Sequence, residues 1–84
     1  MFSLEKLNKK GGIYVFNYSK LKGRIVEKNM TQNDVAEKMD IAKSTLNLKL
    51  NNKILFSQDD IISLSKILEI PKEDIGQYFF TEIV

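Results

Sequence analysis

The feature that most constrains this chain is a pair of short amphipathic segments separated by only three residues. Thr31 and Asp34 have the spacing of a helix start in which each side chain binds the other residue's backbone amide. The apolar residues that follow share one helix face: Val35, Ala36 and Met39. After Asp40-Ile41-Ala42, a second helix is predicted over Lys43–Leu50, with Leu46 and Leu50 one turn apart. The pattern predicts two helices that cross closely at a tight turn.

Three further helices are predicted, which makes the chain an all-α domain of five helices. The first covers Ser19–Lys28 with Ser19 as its N-cap, and Asn29 suits its left-handed end. Ser57 opens the fourth helix, which stops before Pro71, and Pro71 opens a fifth that runs to about Tyr78. Because 84 residues suffice for one core only, we expect one domain over 18–80, an extension over 1–17 that is disordered at least to residue 14, and a tail over 81–84.

Missing residue types narrow the function. The chain has no Cys and no His, so it lacks thiolate metal ligands, disulfides and the usual general base. No apolar run reaches the ~18–20 residues that span a bilayer. We therefore expect a cytoplasmic binding protein that is not an enzyme, with no metal, no cofactor, no small-molecule ligand and no membrane association.

The charges are unevenly distributed along the chain. Residues 18–53 hold eight Lys and Arg against four Asp and Glu, whereas residues 54–84 hold two against six. This asymmetry favours an anionic partner, such as the phosphates of DNA, at one end of the domain. Two ordinarily solvated faces would give the same distribution.

Several segments also resemble a known family. Residues 30–46 (MTQNDVAEKMDIAKSTL) resemble the helix-turn-helix of the phage lambda repressor and Cro group, and residues 63–70 (SLSKILEI) with 72–74 (KED) resemble its later helices. Residues 75–80 (IGQYFF) are similar to the ending of small Cro-like regulators of Gram-positive phages and prophages. The resemblance implies a lambda-repressor-like DNA-binding domain whose partner is a double-stranded DNA operator.

The resemblance also implies roles for individual residues. Gln32 would hold a phosphate and brace the recognition helix, Lys43 and Ser44 would reach base edges, and Asn47 would pair with adenine. Leu48 would meet a thymine methyl group, and Asn51 would contact phosphate. The complete implied DNA-binding set is Gln32, Lys43, Ser44, Thr45, Asn47, Leu48 and Asn51. Each of these residues is also compatible with an ordinary solvated helix position.

Two departures from the family pattern bear on the site. Asp40 stands where the turn usually has Gly, which we expect to cost stability without changing the fold. Lys49 stands where relatives have an apolar core residue, so we expect Leu50 to take over the packing. A slight rotation of the helix would then leave open which of Asn47 and Leu48 points into the groove.

The two ends of the chain suggest further functions. The last seven residues are rich in large apolar side chains, which predicts a homodimer interface that includes Ile75, Tyr78, Phe79 and Phe80, unless the tail folds back onto the monomer core. At the other end, we hypothesise that translation begins naturally at Val15; a basic arm that touches DNA is the competing interpretation.

The sequence therefore predicts a DNA-binding transcriptional regulator, a phage or prophage repressor or a Cro-like protein that acts as a homodimer at an operator. An antitoxin or restriction-controller protein is an alternative within DNA binding. A protein-interaction module that reuses the fold is the alternative from another class.

Overall fold

The computed structural model describes residues 15–83 as an all-helical domain. Its elements are α1 Ser19–Glu27, α2 Gln32–Met39, α3 Lys43–Leu50, α4 Gln58–Ile67, a 3₁₀ turn Lys72–Asp74 and α5 Ile75–Phe79. Three predictions lie outside the described range or at its edge. They are the disorder to residue 14, the translation start at Val15 and the basic arm. The bounds of α3 are those predicted from the sequence.

Side-chain caps define the starts of two helices. Thr31 Oγ1 accepts from the Asp34 amide at 3.1 Å, and Asp34 Oδ2 accepts from the Thr31 amide at 2.8 Å. Ser57 and Asp60 repeat this arrangement at the start of α4. Both predicted starts are confirmed. The start of α1 differs by one residue, because Tyr18 is the N-cap and Asn17 Oδ1 accepts from the Ser19 amide at 2.9 Å.

Four helices end in a residue with a left-handed backbone, and none of these residues is Gly. Asn29, Asp40, Asn52 and Glu69 have φ between 53° and 62°. At each end two amides turn back onto the last carbonyls; Ile41 N, for example, donates to Ala36 O at 3.0 Å. This Schellman motif satisfies carbonyls that the helix leaves unpaired. The roles of Asn29 and Asp40 were predicted, whereas that of Glu69 was not.

One apolar core joins all five helices. Its buried residues are Tyr18, Leu21, Ile25, Val35, Ala36, Leu46, Leu50, Leu64, Leu68, Ile70, Tyr78 and Phe79. The rings of Tyr18 and Phe56 meet edge to face at 5.2 Å, and those of Phe56 and Phe79 at 5.6 Å. Burial raises the pKa of Tyr18. The core therefore ties α1 and α5 to the loop that follows α3.

The segments on either side of the predicted 18–80 domain pair with each other. Asn17 N donates to Thr81 O at 2.7 Å, and Ile83 N donates to Val15 O at 3.0 Å. These bonds bracket an antiparallel bridge between Phe16 and Glu82. The ordered fold thus extends to residues 15–17 and 81–83, and we call these two segments together the terminal pair.

Candidate nucleic-acid interface

The turn between α2 and α3 is compact because of its backbone geometry. Asp40 has φ 59°, which reverses the chain directly after Met39. Ala36 of α2 is buried, and α2 packs against both α3 and α4. Ile41 packs against the core from within the turn. These features agree with the predicted close crossing of two helices at a tight turn. The assignment of this pair as a DNA-binding helix-turn-helix remains a prediction.

Helix α3 buries one row of residues and presents the others to solvent. Leu46 and Leu50 are buried, which confirms the packing role predicted for Leu50. Five of the predicted DNA-binding residues are exposed: Lys43, Ser44, Asn47, Leu48 and Asn51. Thr45 is half-buried, so it contributes less to this surface. Asn47 and Leu48 are both exposed, and burial therefore does not choose between them.

Two of the exposed residues are linked. Asn51 Nδ2 donates to Asn47 Oδ1 at 3.0 Å, across one helical turn. The bond orients the Asn47 amide, whose remaining donors and second acceptor position stay available to a ligand. The i, i+4 spacing of two Asn residues is the sequence signal that could have revealed this pair.

Gln32 occupies the first position of α2 and is half-buried. It lies between Thr31 and the remainder of the capping box, so its place at the helix start is fixed. The hydrogen bonds from Thr31, first its amide and then its hydroxyl, hold the pKa of Asp34 below the ordinary value. The Gln32 side chain makes no hydrogen bond to another described residue, which leaves its amide group available to a ligand.

A salt bridge joins α3 to the first turn of α4. Lys49 Nζ lies 2.7 Å from Asp60 Oδ2 and donates to Leu55 O at 3.3 Å. The two side chains are only 11% and 16% exposed, so water screens their attraction less than at a free surface. In the sequence, Lys49 stands out only as a charged residue where relatives have an apolar one. Its polar role required knowledge that the α4 cap lies beside α3.

The Asp60 carboxylate serves both the cap and the salt bridge. Partial burial acts to raise its pKa, but hydrogen bonds from Lys49 and from the Ser57 amide and hydroxyl outweigh burial, and the pKa is lowered overall. Asp60 therefore stays ionised at neutral pH and holds the Lys49 ammonium in place. The salt bridge makes α3 a fixed platform for its exposed residues.

The surface charge of the domain is modest. Residues 1–14 hold three of the 13 Lys and Arg and one of the 11 Asp and Glu, so residues 15–83 hold ten of each. On α2 and α3, Lys38 and Lys43 are exposed and make no ion pair with another described residue. Lys49 is already neutralised by Asp60. The interface thus offers few free cations.

The predicted dimer interface needs a correction. Tyr78 and Phe79 are 9% and 1% exposed and belong to the monomer core. The tail folds back onto the core, as the alternative prediction stated, because Phe79 fills the space beside the Phe56 ring. Ile75 is half-buried and Phe80 is 51% exposed. A dimer contact through Ile75 and Phe80 remains a prediction.

Membrane spans and metal sites are two further possibilities for residues 15–83. No helix there combines the length and apolar character needed to cross a bilayer. The same range contains no group of three or more His, Cys, Asp or Glu residues arranged to hold a metal ion.

A solved structure with a known biological context is similar to this chain. It is the solution structure of the modulator of repression of the temperate bacteriophage TP901-1 from Lactococcus lactis. The two sequences are 40% identical, and the match covers 77% of this chain and 88% of the other with a TM-score of 0.69. A comparison with curated proteins finds no match.

One family profile also matches, and it is not that of the lambda repressor and Cro group. The match spans residues 14–82, which includes α1 to α5 and most of the terminal pair. The finer resemblance to the lambda repressor and Cro group remains a prediction. The chain belongs to the family described as "Protein of unknown function (DUF739)".

Proposed function

We propose that this protein is a phage regulator that binds double-stranded DNA through α3 of its helix-turn-helix. The observation that carries the proposal is the exposed polar surface of α3, where Lys43, Ser44 and Asn47 stand clear of the core. A helix of this kind fits the major groove, whose base edges offer acceptors to Lys and paired donor and acceptor groups to Asn. The fixed Lys49–Asp60 contact supports recognition because it removes freedom from the reading helix.

The regulatory part of the proposal is supported by the similar phage protein, which is described as a modulator of repression. We propose that this protein acts by occupying a site on DNA and excluding another protein from that site. Two copies would place two reading helices about one turn of DNA apart. We therefore propose that the regulated process is phage gene expression and that the bound sites are operators.

Selection of bound sites from a random duplex library, with purified protein, tests the proposal. An enriched inverted repeat is expected for a dimer, and an enriched asymmetric site for a monomer. Lys43→Ala and Asn47→Ala should each relax one base position by ~1–3 kcal/mol. Lys66→Ala, which removes an exposed charge from α4, is the matched control for charge alone.

The control separates sequence reading from attraction to phosphate. If Lys66→Ala weakens binding as much as Lys43→Ala and no base position relaxes, the binding is general electrostatics and the reading role of α3 is wrong. Absence of any enriched sequence would reject specific DNA binding altogether.

A second candidate function is binding to another regulatory protein. The observation in its favour is an exposed apolar group beside the end of α3, formed by Leu48, Ile54 and Leu55. Lys53 N donates to Leu48 O at 2.8 Å, which folds the chain back at this point. DNA offers few apolar groups, whereas a protein partner would cover these side chains. Residues 15–83 hold equal numbers of basic and acidic side chains, and this balance agrees with binding to a protein.

The two candidate functions predict that different substitutions impair regulation. Operator occupancy by a repressor of the same phage would be measured with and without this protein. Leu55→Asp should abolish an effect that depends on protein contact, while Ile62→Asp, an equally exposed site on α4, serves as the control. An effect that survives Leu55→Asp and disappears with Lys43→Ala would favour DNA binding instead.

A further inference from the structure

Asn52 contacts a segment that is distant in sequence. Its Oδ1 accepts from Phe16 N at 2.9 Å, and its Nδ2 donates to Phe16 O at 2.9 Å. One amide side chain thus binds both backbone groups of one residue, as a neighbouring strand would. The opposite edge of the same segment is paired with residues 81–83. The segment 15–17 is therefore hydrogen-bonded on both edges, to residues 81–83 on one side and to the Asn52 side chain on the other.

The backbone of Asn52 belongs to the end of α3. Its φ is 62°, its amide donates to Lys49 O at 3.2 Å, and the following Lys53 amide donates to Leu48 O. Asn51, the C-cap residue, immediately precedes it and is bonded to Asn47. The same residue therefore ends α3 and holds the terminal pair.

The structure assigns Asn52 the role of a positioning residue that couples the terminal pair to the recognition end of α3. When Phe16 is held, the left-handed turn at Asn52 is fixed, and with it the orientation of Asn51 and Asn47. This inference rests on the proposed function for its effect on DNA, but the coupling itself is a property of the fold. Asn52 does not need to touch the ligand.

Asn52 has a matched control within the chain. Asn29 has the same residue type and the same left-handed position at the end of α1, with φ 58°. Its side chain makes no hydrogen bond to another described residue. Gly fits both positions without backbone strain, so Asn52→Gly and Asn29→Gly should both fold. Only Asn52→Gly removes the two side-chain hydrogen bonds to Phe16.

Amide hydrogen exchange of the full chain measures the effect of these two hydrogen bonds directly. In Asn52→Gly we expect the amides of Phe16, Asn17 and Ile83 to exchange at least tenfold faster than in the wild type. In Asn29→Gly these rates should not change. Equal rates in the two variants would overturn the inference.

The reverse direction of the coupling is tested from the tail. Ile83→Pro removes the amide that donates to Val15 O, whereas Glu82→Pro changes a position whose amide has no partner among the described residues. Ile83→Pro should accelerate exchange of the Lys53 amide at least threefold, and Glu82→Pro should not. An unchanged Lys53 rate in Ile83→Pro would show that the terminal pair does not reach α3.

DNA affinity then separates this inference from the proposed function. Asn52→Gly should weaken binding to the selected site at least fivefold, with Asn29→Gly unchanged, and its effect should not add to that of Asn51→Ala. If the wild type selects no site, the proposed function fails while the exchange experiments still decide the coupling. If exchange responds as expected and affinity does not, the positioning role is wrong.

Discussion

Replacing Asp40 by Gly tests the backbone geometry of the turn between α2 and α3. Asp40 has φ 59° and directly follows the last residue of α2. An L-residue there places its Cβ close to a carbonyl oxygen, and its carboxylate stands at the negative end of the helix dipole. Gly removes both effects and keeps the turn. We therefore expect Asp40→Gly to be more stable than the wild type.

The size of the gain follows from three contributions. Relief of the left-handed conformation is worth about 1–2 kcal/mol for a general L-residue. The greater freedom of Gly in the unfolded chain takes back about 0.4–1 kcal/mol. Removal of an exposed carboxylate from the helix C-terminus adds about 0.3 kcal/mol. The net gain is about 1 kcal/mol, which raises Tm by roughly 4–8 °C for a domain of this size.

Urea unfolding and thermal melting of four proteins measure this gain. Asp40→Asn keeps the side chain and removes the charge, so it should gain only the small dipole contribution. Asp40→Ala keeps the strain and loses an Asp side chain that tolerates this conformation, so it should not exceed the wild type. If Gly and Ala variants are equally stable, the left-handed strain assigned to Asp40 does not exist and the reasoning is refuted.

Three other outcomes are expected. Phe79→Ala should lower the free energy of unfolding by about 3–5 kcal/mol because the ring is buried, whereas Phe80→Ala should cost less than about 1 kcal/mol in the same urea titration. Because the pKa of Asp60 is lowered in the folded state, its contribution to stability is complete above the pKa of the unfolded state and is lost as pH falls through the pKa of the folded state. The free energy of unfolding of Asp60→Asn should therefore fall less steeply with decreasing pH than that of the wild type. An equal slope in the two proteins would contradict this assignment. Thr31→Ala and Ser57→Ala should each cost about 1 kcal/mol as lost helix caps, measured as shifts of the urea midpoint, and a neutral result would mean that water replaces the cap.

Local signals explain why α2, α3 and the turn between them were predictable. Thr31, Asp34 and the apolar spacing of α2 act within a few residues of one another, so they have the same meaning in the chain as in the fold. The predicted limits of α3, Lys43–Leu50, agree with the structure for the same reason. The side of α3 that is exposed then followed from the positions of Leu46 and Leu50.

Contacts between distant residues were not predictable in this way. Asn52 and Phe16 are 36 residues apart, and neither has a sequence signal that names the other. The apolar composition of the tail predicts that its side chains are buried, but it does not say against which surface. The prediction of a dimer contact for Tyr78 and Phe79 is wrong for this reason, because both pack within one copy. The Lys49–Asp60 bridge likewise depends on where the first turn of α4 lies relative to α3.

The terminal pair makes the domain suitable for backbone cyclisation. Ile83 N and Val15 O are hydrogen-bonded, so the two segments already have the arrangement of a β-hairpin without its turn. A two-residue Asn-Gly link from Ile83 to Val15 suits such a pair, because its twist matches that of adjacent strands. Closing a loop of this length lowers the entropy of the unfolded chain by an amount worth about 4 kcal/mol in the loop-closure description. A circular form of residues 15–83 should therefore melt well above the linear one, with the helices unchanged.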